Sequence, residues 1–283
     1  RTLWLDMINY ILLPTGRPIV REEAKLPVLL KNLKLSAMGR LWNPMAEEAM
    51  KEGWNHPRFL SSLCEHEVEE RYQKRTARYL KLSGLPAGKS LATFDFNHTP
   101  SVSKVKVQDL ASNTHWITQG NTALIFGPSG VGKTHLASAI GHGLIERGVR
   151  VLFTPTTTLM QKLQLARKNL TLSTALYKLD RYGLLILDDI GYVRKDDAET
   201  HVLFELIAHR YESKSIIVTS NQPFSEWDQI FATDAMTIAA IDRLVHHATI
   251  FEVMTESYRR LQSLEKKPND EMKRKTPSPK PPK

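Results

Sequence analysis

Residues Gly127-Pro-Ser-Gly-Val-Gly-Lys133-Thr134 follow directly on the apolar run Ala123–Phe126 and lead into a helical pattern over Lys133–Arg147. Strand, glycine-rich turn and helix in that order leave few folds open, because G-x-x-x-x-G-K-[ST] has a mechanism only where a strand delivers its end to a helix start. Gly127, Gly130 and Gly132 let the backbone take positive φ and turn its N–H groups inward around phosphate oxygens. The helix start adds partial positive charge at the same place. Lys133 reaches the β- and γ-phosphates, and the Thr134 hydroxyl is a Mg²⁺ ligand. With Pro128, Ser129, Val131 and His135, these residues form the expected ATP site. An ordinary glycine turn would lack the flanking strand and helix.

Downstream, strands alternate with helices. Strands are expected at Arg150–Thr154, Leu184–Leu187, Ser215–Thr219 and Thr249–Val253, and helices at Leu159–Arg167, Leu172–Arg181, Ala198–Tyr211 and from Glu256. Continuous apolar strands separated by helices imply an α/β fold with a parallel sheet covered on both faces. Leu184-Leu-Ile-Leu187 ends in Asp188-Asp189, 54 residues after Thr134. At the carboxyl end of a central strand, Asp188 can share the Mg²⁺ with Thr134, and Asp189 can orient or deprotonate the attacking water. A helix-capping acidic pair has the same sequence. Asn221, at the end of the next strand, is suited to polarising the water or the γ-phosphate, although Asn221-Gln-Pro223 also reads as a turn.

Ahead of the phosphate loop, Leu29, Leu30, Leu33, Leu41, Met45, Ala49 and Met50 recur at helical spacing, and a helix is expected from Arg58 to Ser83. Arg71, Lys74, Arg75 and Arg78 fall at i, i+3, i+4 and i+7, Lys81 continues the stripe, and Tyr72 and Tyr79 flank it. Such a face can track a phosphate backbone, and it also describes a solvated helix face. Charge is unevenly spread. Residues 1–120 hold 17 Lys/Arg against 12 Asp/Glu, residues 121–264 hold 15 against 15, and residues 265–283 hold 7 against 3. Positive ends on a neutral body suggest a polyanionic partner, most naturally double-stranded DNA. Arg167 and Lys168, near a helix end, join the stripe as candidate DNA contacts.

The remaining features bound the chain. One cysteine, Cys64, excludes a disulfide framework, fits a reducing cytoplasm and reads as helix packing. Leu3–Leu13 is too short and interrupted for a membrane span. Arg1–Lys25 is expected to be a loosely attached leader, 26–90 a helical module for DNA or a partner, 91–264 the ATPase domain, and 265–283 a disordered basic tail. Within Leu85–Gln119, read as a linker, Phe94-Asp-Phe96 is a candidate anchor between module and body, and Trp116 a core residue.

GPSGVGKTHLA, LLILDDIGY, HRYE, IIVTSNQPFSEWDQIF, AIDRLVHHA and ESYR together resemble the IstB/DnaC-like branch of AAA+ ATPases, and within it the IstB-type helpers of bacterial insertion sequences. The resemblance runs from about Leu26 to Gln262. It implies an AAA+ P-loop NTPase fold with a five-stranded parallel sheet behind a small all-α module. It also implies homo-oligomers that form on DNA with ATP, and cooperation with a transposase of the same element. Arg243 matches the family's arginine finger, with Arg210 as an alternative, and Arg259 matches the second sensor arginine. A helix-surface ion pair is the competing reading of either. Two departures stand out. Asp189 replaces the longer Glu of most AAA+ proteins, which implies slow, switch-like turnover, and too little chain follows the last strand for a full helical lid. A helicase loader shares the motifs, a small-molecule P-loop kinase would need an acceptor pocket, and a regulator that only binds ATP is compatible with Asp189.

Overall fold

The computed structural model describes residues 10–12, 18–20, 22–192, 197–231, 233–255 and 257. Arg259, the residues from 258 to the end of the basic tail, and most of the leader lie outside them. The chain divides into two compact units, one ending at Ala77 and the other beginning at Arg78.

In the first unit, β1 (Tyr10–Leu12) pairs antiparallel with β2 (Pro18–Val20). Helices α1 (Glu22–Asn32), α2 (Ser36–Glu52) and the first part of α3 (His56–Ser83) follow. Leu30, Met38, Met45 and Leu63 form their core. Leu63 holds the inward position, so the next residue, about 100° round the helix, faces water. Cys64 is exposed, not a packing residue. The N-cap of α2 is Leu35, which supplies no side-chain cap. Its N–H groups are satisfied from α3 instead: Ala37 N and Met38 N donate to Glu67 Oε2 at 2.7 and 3.2 Å. Burial alone would raise the Glu67 pKa. The Met38 N–H, Arg71 and the Ala37 N–H outweigh burial and hold the carboxyl below its ordinary range.

The second unit is a parallel α/β layer structure. A 3₁₀ turn at Leu91–Thr93 leads to α4 (Lys104–Ser112) and α5 (His115–Thr118), inside the stretch the sequence reads as linker. Val107, Leu110 and Ala111 sit one helical turn apart and are buried, and Ser103 caps α4 through Lys106 N at 3.4 Å. Trp116 is core, its indole N–H donating to Leu110 O at 3.0 Å. Then come β3 (Thr122–Phe126), α6 (Lys133–Glu146), β4 (Val151–Pro155), α7 (Thr156–Lys168), α8 (Leu172–Leu179), β5 (Leu184–Asp188), α9 (Asp197–Arg210), β6 (Ser215–Ser220), α10 (Asp234–Val245) and β7 (Ala248–Glu252). The five strands order β4-β5-β6-β3-β7, all parallel.

Strand residues alternate between two cores, as a sheet buried on both faces requires. Leu124, Phe126, Leu185, Leu187, Ile216 and Val218 face α7, α9 and α10 residues. Ala123, Ile125, Leu184, Ile186 and Ile217 face α4 and α6 residues. On that second face Gly143 lets α6 approach α4 closely, since a Cβ there would meet Ala111 O at 2.8 Å. Phe94 and Phe96 pack edge to face, 4.8 Å apart, into this same core. Both lie inside the second unit, in the core of the ATPase body.

Candidate nucleotide-binding site

Strand β3, between β6 and β7 inside the sheet, hands the chain to α6 through the glycine loop. Gly127, Gly130 and Gly132 all take positive φ (149°, 87° and 104°), and Gly132 is the N-cap of α6. At Gly127 the need is also steric: a Cβ would lie 2.4 Å from Val253 O. Lys133 is buried and folds back over the loop, Nζ donating to Gly127 O and Pro128 O, both at 2.8 Å. These bonds hold the ammonium over the nest of amides.

Strand β5 brings the second half of the site. Asp188 accepts from Thr134 Oγ1 at 3.1 Å on one oxygen and from Thr219 Oγ1 at 2.7 Å on the other. Its carbonyl accepts from Thr156 Oγ1 at 2.9 Å, and Thr219 Oγ1 in turn accepts from Asp189 N at 2.9 Å. The carboxylate thereby ties the end of β6 and the start of α6 to the end of β5, and the Asp188 carbonyl adds the start of α7. Thr219 and Thr156 were not singled out from the sequence. The signal for Thr219 was present, as a hydroxyl closing the otherwise apolar Ile-Ile-Val run. Asp189 has φ 57°, a left-handed conformation that Asp tolerates better than most residues. It lines a cavity of about 250 Å³ with Ser129, Lys133, Thr134 and His135.

The far wall of that cavity comes from the stretch to which the sequence reading gave no chemistry: Lys89, Phe94, Asp95 and His98. Phe94 meets the His135 ring edge to face at 5.2 Å. His135 Nε2 also lies 3.1 Å from both Thr93 Oγ1 and Ser90 O. Burial lowers the imidazole pKa and Lys89 adds to that, against the Ser90 carbonyl. His135 is therefore a neutral wall beside the phosphate loop at pH 7.

Mg²⁺ fits these residues. A hydroxyl and a carboxylate oxygen 3.1 Å apart at the loop are hard oxygen donors of the kind Mg²⁺ takes alongside substrate phosphates. Thr134 and Asp188 would hold it, and it would supply charge neutralisation on the triphosphate.

Other expected residues fall elsewhere. Asn221 does not line the Lys133 cavity. It sits beside Gly127 and Pro128 in a separate cleft, with Oδ1 so near Gly191 that a Cβ there would lie 2.3 Å from it. Arg243, in the last turn of α10, donates to Ala239 O at 2.8 Å and stacks 5.1 Å from the Phe204 ring. Arg210 is fully buried. Its guanidinium donates to the carbonyls of Leu179 (3.2 Å), Tyr182 (3.1 Å), Gly183 (3.5 Å) and Ser215 (3.0 Å). Burial lowers its pKa to about 10, against the attraction of Asp180. A side chain enclosed in this way cannot reach a neighbouring molecule, so Arg210 is no alternative finger.

Of the basic stripe, Arg71 donates to Glu67 at 2.8 Å and to Lys34 O at 2.8 Å, and Lys74 pairs with Glu70. Both partners lie one turn upstream, just outside the acid-free interval that makes the stripe visible in sequence. Arg75 lies 5.7 Å from the Tyr72 ring and Arg78 5.4 Å from the Tyr79 ring. Lys81, Arg167 and Lys168 are exposed near helix ends. Among the described residues, no helix is long and apolar enough to cross a membrane.

A five-stranded parallel sheet in which an interior strand feeds a phosphate loop, with the acidic end of β5 beside it, defines a P-loop ATPase of the AAA+ class. Solved structures agree on the fold. A replication initiator DnaA bound to AMPPCP and single-stranded DNA superposes with TM-score 0.52 at 20% identity, covering 67% of this chain and 59% of that one. DnaA from Aquifex aeolicus gives 0.51 at 20%, covering 65% and 56%. The chain belongs to the IstB-like ATP binding protein family, whose model matches residues 28–266. It is 54% identical to a putative insertion sequence ATP-binding protein of Sinorhizobium fredii over 87% of this chain and 83% of that one. It is 36% identical to the insertion sequence IS21 putative ATP-binding protein of Pseudomonas aeruginosa, over 83% and 88%.

Proposed function

We propose that this protein is an ATP-dependent helper of insertion-sequence transposition that assembles on double-stranded DNA and presents it to a partner transposase in the cytoplasm. The observation that carries the reading is the Asp188 hub. Its two oxygens bind Thr134 and Thr219, so the state of the phosphate loop is mechanically joined to the ends of β5 and β6. The relatives, named for insertion sequences, supply the biological setting.

In this mechanism the loop amides and Lys133 bind the triphosphate, and Thr134 with Asp188 hold the Mg²⁺ that neutralises it. Asp189 orients the attacking water. Arg243 leaves Ala239 O to reach the ATP of a neighbouring copy, so hydrolysis depends on assembly. Arg259 completes the sensing of the γ-phosphate, joined by Asn221 once its side chain leaves the cleft beside Gly127 and Pro128. Asp189 is one methylene shorter than the Glu that does this work elsewhere in the class, so turnover is slow and ATP acts as a timer for the DNA-bound state.

Sedimentation of the protein with duplex DNA, in ATP, in ADP and without nucleotide, tests the reading. Large complexes specific to ATP support it. Equal assembly in all three conditions removes ATP control, and capture of a replicative helicase in place of DNA would favour a loader.

A further inference from the structure

At the opposite end of the parallel sheet from the phosphate loop, the amino ends of β4 and β5 open into a second cavity of about 240 Å³. Arg78, Arg150 and Arg181 converge on it together with Tyr79 and Tyr182. Tyr79 stands between two guanidiniums, with Arg78 at 5.4 Å and Arg150 at 5.3 Å from its ring, and Arg181 lies 5.6 Å from Tyr182. The neighbouring Arg150 guanidinium, with Arg78, holds the Tyr79 hydroxyl pKa below its ordinary value, as expected beside concentrated positive charge.

Three features separate this cluster from an ordinary solvated surface. Among the described residues, none of the three arginines is ion-paired with a carboxylate. The nearest acid in sequence, Asp180, is turned to His209 at 2.9 Å and faces Arg210 at 3.9 Å. The cluster is also held in place. Arg181 Nε donates to Lys178 O at 2.9 Å, and α3 closes at Gly84 (φ 69°), where a Cβ would lie 2.9 Å from Phe153 O on β4. Only glycine lets the end of α3 come that close to the edge strand, and the approach sets Arg78 and Tyr79 against Arg150. Planar guanidiniums stacked on rings and left without carboxylates are preorganised for phosphate oxygens.

We infer that Arg78, Arg150 and Arg181 form a phosphodiester-binding site for the backbone of duplex DNA, on the face of the ATPase body away from its ATP. This rests on the proposed DNA-binding function and extends the α3 stripe, through Arg78, to Arg150 and Arg181 on the sheet. Because the rings already hold guanidiniums, the site reads backbone and not base, so it binds without sequence preference.

The test is fluorescence anisotropy with a labelled duplex across a salt series, comparing wild type with R150A/R181A and R150K/R181K. The alanine pair should weaken binding roughly tenfold or more and flatten the slope of log K against log salt by about 2, one per lost phosphate contact. The lysine pair should recover most of the slope, since it keeps the charge but not the fork. Inorganic phosphate and ATP at millimolar concentration should not displace the duplex from wild type. A double-alanine protein with unchanged affinity and slope overturns the inference while leaving DNA binding intact. Calorimetric binding of inorganic phosphate, abolished in R150A/R181A while duplex affinity is retained, overturns it in favour of a free-anion site. A wild-type protein that binds no duplex defeats the DNA reading itself. Unchanged melting temperature and ATP binding in the variants verify that these exposed substitutions leave the fold alone.

Discussion

Each unit of this protein buries a charge, with opposite sign and for the same purpose. In the helical unit Glu67 caps the N–H groups that start α2. In the sheet unit Arg210 collects the carbonyls that end α8 and flank β5 and β6. Asp188 is buried too, but its side-chain partners are hydroxyls, that of Thr134 lining the phosphate-loop cavity and that of Thr219 buried behind it. Backbone groups as partners mean that the charge serves the fold, because no ligand can replace them. Hydroxyls that can turn toward a metal or a phosphate mean that the charge serves chemistry. Burial alone does not separate the two; the identity of the partners does.

Arg210 provides the strongest way to break that comparison. Replacing it with Met removes four hydrogen bonds, from two nitrogens, and strands their carbonyls inside the core, a loss on the order of 4 kcal/mol. For a unit of this size that is roughly 10 °C of melting temperature. Circular dichroism melts of R210M against wild type measure it. A variant that melts normally but loses ATP-dependent assembly would mean that Arg210 serves chemistry after all.

Glu67→Gln should cost less, about 2 kcal/mol, because the amide still offers one oxygen to the α2 amides but loses its charge-assisted bonds. The folded-state pKa of Glu67 is depressed, so its contribution is present above its unfolded value, near 4.3. The contribution is lost as pH falls through the lower folded value. Wild type should therefore lose helical-unit stability in that acid range more steeply than E67Q, and melts from pH 6 down to pH 3 reveal the difference. Parallel acid limbs would assign the acid sensitivity to other carboxylates.

Asp188→Asn lies on the other side of the comparison. One of the two threonine hydroxyls would face an NH₂ group, a cost of about 1 kcal/mol. ATP turnover should fall at least about a hundredfold through loss of the metal-side charge. Phosphate release assays beside the melt give both numbers. A variant that is unstable yet turns over ATP would place Asp188 with Glu67 and Arg210.

The sequence made the phosphate loop, Asp188 and the two-faced strands legible because each rests on local pattern: glycine spacing, four apolar residues before an acid, uninterrupted hydrophobicity. It hid α4, α5 and the Phe94–His98 wall, because Leu85–Gln119 carries turn signals and little periodicity, and its buried residues gain their meaning from contact with α6. It also hid the pairing of Arg71 and Lys74. The basic stripe is a pattern of spacing along one helix, whereas Glu67 and Glu70 cancel it through side chains reaching forward one turn. The cluster of Arg78, Arg150 and Arg181 was illegible for the opposite reason, since its members come from three separate segments and only the sheet assembles them.

Arg243→Ala should have the smallest effect on stability and the most selective effect on function. Among the described residues of its own chain Arg243 makes one hydrogen bond, to Ala239 O, and one stacking contact, with Phe204. The bonded carbonyl lies one turn back in α10, where it already accepts from the helix backbone, so nothing buried is stranded by truncation. The melting temperature should stay within about 2 °C of wild type, as for most half-exposed substitutions. A residue that contributes little to its own subunit is free to act on another. ATP affinity of the isolated protein should then be unchanged, while DNA-stimulated hydrolysis falls by about a thousandfold, the scale at which such arginines act in trans. Mixing Arg243→Ala with Lys133→Ala protein sharpens the point. If Arg243 completes a neighbour's site, the mixture recovers part of the activity that neither variant has alone, because the mixed interface pairs an intact loop with an intact arginine. If it acts within its own subunit, the mixture stays inactive, and Arg243 joins Glu67 and Arg210 as a residue that serves its own fold.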